Sequence, residues 1–351
     1  MFNSKTVFVL GAGASAEADV PVGNKLTSEI AGLTNFYVEH SDGLKTGDTQ
    51  IYHVLRGLAS SDANKWGKNR FIASGREISE AMGLAPSIDT FLETHATNDE
   101  YVLIGKLGIA KAILSAERGS KFAPTSDGTK PFSMSTIADT WYRSLGQQLF
   151  SGVPSNAPAS AFDNISFIVF NYDRCLEIFL LRAIQVYFRT TEDAALEILS
   201  NVNIIHPYGS LGSIQSGSEG FVPFGSDRYN LHDVSKRIQT FSESVDDGFV
   251  LESIRSQIAD AETLIFLGFA FHDQNIKLLD DGKAKIDKKS NIQNVFATTY
   301  DLSDSDTKVV RSQIEYMLKG RSMGSRDQYS IDTLNGSCSK LFAEYWRSLT
   351  A

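Results

Sequence analysis

A chain of 351 residues, 42% hydrophobic and 21% charged, is long enough to bury one large core with a substantial insertion, which excludes a disordered or fibrous protein. Its 42 acidic and 33 basic residues leave a formal charge of -9, which repels phosphate backbones and anionic membrane surfaces, so nucleic-acid binding is not the expected primary role. Two isolated cysteines, Cys175 and Cys338, supply neither a disulfide framework nor a cysteine zinc site and fit a reducing cytoplasm.

The first residues imitate a secretory signal, with Lys5, an apolar stretch and Ala14-Ser15-Ala16. Gly11 and Gly13 interrupt that stretch at once, and the same residues read better as a strand followed by a phosphate loop. The longest apolar runs, such as Leu264 to Phe271, fall short of the about 20 residues that span a bilayer.

Thr6 to Leu10 (TVFVL) has the apolar, β-branched pattern of a central parallel strand buried on both faces. A helix is expected from about Gly23 or Asn24 to Leu33. Residues 35 to about 160 read mainly as helical, with a capping box at Thr97 to Glu100 and an apolar face of Leu103, Leu107, Ala110 and Leu114. Further strands are predicted at Ile165 to Phe170, Val202 to Ile205, Thr263 to Leu267 and Ile292 to Ala297. Asp173 to Phe188 is apolar nearly all round, as expected of a covered helix, and helices are predicted from Ser303 to Leu318 and from Leu334 to Leu349.

These elements predict an α/β, Rossmann-like doubly wound parallel sheet. The core comprises residues 1–34 and 163–300, interrupted by a helical insertion at 35–162 and followed by a short helical C-terminal extension at 301–351.

Gly11-Ala12-Gly13-Ala14-Ser15 lies between a strand and a helix, where backbone amides can approach a pyrophosphate. A glycine turn serving only tight packing is the alternative. A hydride-transfer site would also want an acidic residue about 20 positions on, at the end of a second strand, and no strand is predicted there. Three later segments place polar groups at predicted strand ends: Phe170-Asn171-Tyr172-Asp173-Arg174, His206-Pro207-Tyr208-Gly209-Ser210 and Gly268-Phe269-Ala270-Phe271-His272-Asp273.

Together GAGAS, SIDTFL (Ser87 to Leu92), FNYDRCLE, HPYGSLG and FLGFAFHDQN resemble the sirtuin-like NADase domain of bacterial antiphage systems, a divergent, zinc-free sirtuin branch. The resemblance spans residues 5 to 300 and implies a sirtuin-like fold with NAD as substrate. It maps the NAD-binding loop onto Gly11, Ala12, Gly13 and Ser15, the catalytic group onto Asn171, Asp173 and His206, and a second glycine loop onto Gly268. Two departures weaken a protein-deacylase reading: the zinc cysteines are missing, and Val22-Gly23-Asn24 follows Val20-Pro21 where deacylases carry an acidic residue, phenylalanine and arginine.

Cleaving the nicotinamide–ribose bond of NAD expels a neutral base from a cation, so no general acid is needed. Catalysis then rests on aligning water and stabilising an oxocarbenium-like centre. Asn171 is expected to position the water, His206 to act as base and Asp173 to give electrostatic support. The resemblance further implies NAD depletion in abortive infection, a homo-oligomer, and control by a HerA-type ATPase/helicase or an Argonaute-type partner; the acidic charge balance argues against direct nucleic-acid or membrane binding. A silent NAD- or ADP-ribose-binding module and an NAD-dependent deacylase are the competing functions.

Bland roles remain open for several of these residues. Asn171 or Asp173 can cap the following helix, His206 can be a satisfied loop histidine, and His272 and Asp273 can cap the helix through Leu279. Ser87 and Asp89 either bound a helix or line the cleft. His40, His53, His95 and His232 lack metal-ligand spacing, so no metal is expected. Lys283, Lys285, Lys288 and Lys289 read as a solvated face or a docking surface, and Cys175 as a small core residue.

Overall fold

The computed structural model describes residues 2–39, 43–61, 67–124, 131–280, 291–319 and 329–350; His40 and the basic run from Lys283 to Lys289 lie outside them. Thr6–Leu10 (β1) and Thr263–Leu267 (β6, the sixth strand along the chain) are apolar enough to be covered on both faces, and every residue of both is buried. Between them the chain forms an antiparallel hairpin, Tyr37–Glu39 (β2) with Gly43–Thr46 (β3), and the strands Ile165–Val169 (β4) and Asn203–Ile205 (β5). Asn294–Thr298 (β7) and Ser330–Leu334 (β8) complete the set.

Six strands pair in the order β5-β4-β1-β6-β7-β8, and each pairing is parallel. In chain order this is the 3-2-1-4-5-6 arrangement of a Rossmann-like doubly wound sheet. The winding direction reverses between β1 and β6. Right-handed crossovers then put the connections of the two halves on opposite faces and leave a crevice at the C-terminal ends of these two strands.

The expected core strands form within two residues of their predicted positions. Two elements were not anticipated. The hairpin lies in the insertion, which is otherwise helical, and β8 lies in the C-terminal extension between helices 304–319 and 338–344, where it adds an edge strand to the main sheet.

The insertion packs through helix Asp99–Gly119. Leu107, Ala110 and Leu114 are buried as expected, whereas Leu103 is only partly buried. A side chain at Gly105 would come within 2.5 Å of Leu92, so its absence lets that residue pack directly on the helix. The helix starts one residue later than the predicted capping box: Asn98 Oδ1 accepts from the amides of Glu100 and Tyr101. Glu100 accepts from Ser74 Oγ instead of closing a box. At the other end Glu117, fully buried, reaches the end of β4. Among the described residues no helix is long and apolar enough to cross a membrane.

Candidate active site

The switch point is built from glycines pressed together. Gly11 donates its amide to the Leu267 carbonyl at 3.0 Å, and Gly13 donates to the Gly268 carbonyl at 3.0 Å. A β-carbon on Gly11 would stand 2.4 Å from Gly268 O, and one on Gly13 would stand 2.8 Å from Gly268 Cα. Gly268 itself has φ +56°, and a β-carbon there would meet Ala14 N at 2.1 Å. The glycines therefore serve the contact between two loops, and two amides of the first loop are engaged by that contact. Ala12–Ser15 winds into a single helical turn, pinned from the insertion by Trp141 Nε1, which donates to Ala14 O at 2.8 Å.

A cleft of about 140 Å³ opens beside these loops. Gly11 and Ala12 from the end of β1, Asp89 from the insertion, Phe170 and Tyr208 from the ends of β4 and β5, and His272 all line it. Ser87 accepts from Thr90 N at 3.1 Å and so caps helix 88–94, while Asp89 in the first turn faces the cleft. Both readings of this segment hold, because Ser87 caps the helix and also lines the cleft beside Asp89. The Tyr172 hydroxyl donates to Asp89, and burial raises the pKa of the Asp89 carboxyl against the lowering effect of that bond. His272 stands at the N-cap of helix 273–279 without a side-chain capping bond.

Asn171, Asp173 and Ser15 form a buried cluster behind the loop. Asn171 Nδ2 donates to Ser15 Oγ at 2.8 Å, and Ser15 Oγ donates to Asp173 Oδ1 at 3.0 Å. Asp173 Oδ1 also accepts from Cys175 N at 3.1 Å, so this residue does support the start of helix 175–188. Burial raises the Asp173 pKa, outweighing its hydrogen bonds to Cys175 and Ser15. Asn171 Oδ1 is buried and has no hydrogen-bond partner among the described residues.

His206 is tied to this cluster through the main chain, with Nδ1 3.1 Å from the Asn171 carbonyl. Its Nε2 faces Glu177 Oε1 at 2.7 Å. Burial alone would lower the imidazole pKa, but the Glu177 carboxylate, the Asn171 carbonyl and Asp173 together hold it above 6.5.

The side chains of Asn171, Asp173 and His206 are not in the lining of the glycine-loop cleft. Across the same segments lies a second cleft of about 350 Å³, walled by Arg174, Glu177, Ser210, Gly212, Ser213 and Arg237. Two clefts thus flank the ends of β4 and β5 where a single crevice was expected. A larger cavity, about 440 Å³, is lined by residues that begin β1, β4 and β5, such as Thr6, Ile165 and Asn203. It sits at the end of the sheet opposite the usual ligand crevice.

Glu177 and the Glu117–Arg174 pair were absent from the predicted site. Glu177 had a readable signal, as a lone carboxylate among the apolar residues of helix 175–188. Glu117 had none, because its partner is 57 positions away. Cys175 is buried without any exposed surface, in keeping with its reading as a core residue. Among the described residues no group of three or more His, Cys, Asp or Glu could hold a metal ion.

No protein-family model matches the chain, and no curated protein matches it. Among solved structures it aligns with the crystal structure of a Sir2 homolog–NAD complex, at 12% identity over 99% of this chain and 90% of that one, with a TM-score of 0.36.

Proposed function

We propose that this chain is an NAD glycohydrolase that breaks the nicotinamide–ribose bond and releases nicotinamide and ADP-ribose. The C1′–N1 electron pair leaves with the pyridine ring, a water oxygen bonds to C1′, and the water's second proton passes to solvent through a base. The observation that carries the reading is the orphaned Asn171 Oδ1, a buried acceptor at the end of β4 inside the Ser15–Asn171–Asp173 cluster. A buried amide oxygen without a partner is where a water or a ligand N–H would be held. The neighbouring Asp173 carboxyl would favour a developing cation, and the His206 imidazole is bonded to the cluster.

The glycine-loop cleft is smaller than the roughly 300–1,000 Å³ of ordinary small-molecule sites. A dinucleotide would therefore extend beyond this cleft or widen it. Antiphage NAD depletion in the cytoplasm, by an oligomer that a partner protein restrains, is the biological setting we propose on the motif resemblance.

The test is nicotinamide release from NAD by the purified chain. Wild type should release it, whereas Asn171→Ala and His206→Ala, folded by circular dichroism, should not; wild-type turnover in either variant overturns the assignment. The doubly engaged His206 favours one second reading, a silent NAD- or ADP-ribose-binding module, and NAD binding without cleavage would select it. Nicotinamide release only with an acetylated peptide would select a deacylase.

A further inference from the structure

Helix 175–188 is apolar on nearly every side, yet its first turn carries one carboxylate. Glu177 and His206 are mostly withdrawn from water, with side chains 16% and 13% exposed, and Glu177 Oε2 is buried without a hydrogen-bond partner among the described residues. A desolvated carboxylate with an orphaned oxygen lowers stability unless its other oxygen is strongly bonded. Here that bond is the 2.7 Å contact of Oε1 with His206 Nε2. The imidazole is thus clamped at both nitrogens, by the Asn171 carbonyl and by Glu177.

We infer that Glu177 is the positioning residue of this site: it orients the His206 ring and determines when that ring can accept a proton. The catalytic part of this inference rests on the NAD glycohydrolase reading, whereas the pairing itself does not. Nδ1 faces a carbonyl and must carry a hydrogen. Nε2 faces a carboxylate and carries one too while Glu177 is ionised, so the clamped ring is an imidazolium and no base. His206 becomes available as a base only where the ring is neutral.

Among the described residues, Asp173, Arg174 and Arg237 are the charged groups set beside the pair. Asp173 acts in the same direction as Glu177 on the ring. Arg174 and Arg237 share the wall of the second cleft with Glu177, and Arg174 is paired with Glu117.

Glu177→Gln tests the inference with little change of shape, since its amide can donate to a neutral Nε2. Ring-proton NMR should show His206 titrating about one unit or more lower in this variant than in wild type. The acid limb of kcat/KM should move down by the same amount with KM at the plateau within about twofold. Glu177→Ala, which loses the orientation as well, should also lower plateau kcat by about tenfold or more; where it fails to fold, the isosteric variant carries the test. An unchanged His206 titration in Glu177→Gln overturns the pairing whatever the activity. A displaced titration with an unmoved pH–rate profile overturns the positioning role. Full activity in His206→Ala overturns the catalytic reading, and the NMR titration then still decides the pairing.

Discussion

Arg174 and Glu117 fasten the helical insertion to the strand end that bears Asn171 and Asp173, and removing one partner should be felt across the site. Their side chains are 1% and 0% exposed. Arg174 N and Nε each donate to Glu117 Oε1 at 3.0 Å, Nη2 donates to Oε2 at 2.5 Å, and Nη1 donates to the Val222 carbonyl at 2.5 Å. Glu117→Ala leaves the guanidinium buried with the Val222 carbonyl as its remaining partner among these. Breaking a buried pair this way costs about 3–5 kcal/mol, a large share of the about 5–15 kcal/mol that holds a protein folded.

At about 2.1 cal/mol/K per residue, 351 residues unfolding in one transition have an entropy of about 0.7 kcal/mol/K. The melting temperature should therefore fall by about 4–7 °C, measured by far-UV circular dichroism. The Glu117→Leu/Arg174→Met double variant should melt above Glu117→Ala, because well-packed apolar groups replace a buried pair with little loss. A Glu117→Ala melt within about 1 °C of wild type, or a double variant below the single one, would refute this account of the contact.

Two further outcomes follow from the same geometry. Gly268→Ala puts a β-carbon into Gly13 and Ala14 at a positive φ, so it should destabilise by at least about 1 kcal/mol and weaken NAD binding; an unchanged melt and affinity would contradict the loop contact. Asp173 has a raised folded pKa, so the folded state holds the proton more tightly and wild-type stability should fall as pH rises from about 3.8 to that higher value. Asp173→Asn keeps an acceptor for Ser15 Oγ and Cys175 N but removes this slope. It should melt at or above wild type at neutral pH while nicotinamide release drops, and a lower melt at neutral pH would count against the desolvation argument.

The central strands and their loops were legible because the forces that form them are local in sequence. TVFVL and TLIFL are apolar throughout, and such runs have no stable place except between two covering layers. β8, SIDTL, is not legible for the complementary reason: as an edge strand it is partly exposed, and its short mixed pattern sits between two helical segments. The hairpin at 37–46 is likewise short, and its described residues are partly buried or exposed.

By itself the sequence determined the Rossmann-like core, the glycine loops and the grouping of Ser15, Asn171, Asp173 and His206 at strand ends. Each of these follows from strand and turn chemistry within a few residues. Only the tertiary structure decided what those groups touch: that Gly11 and Gly13 face Gly268, that His206 is clamped by Glu177, and that Glu117 crosses from the insertion to Arg174. Hydrogen-bond partners across 29 or 57 positions are chosen by how helices pack on the sheet, and no local pattern carries that choice.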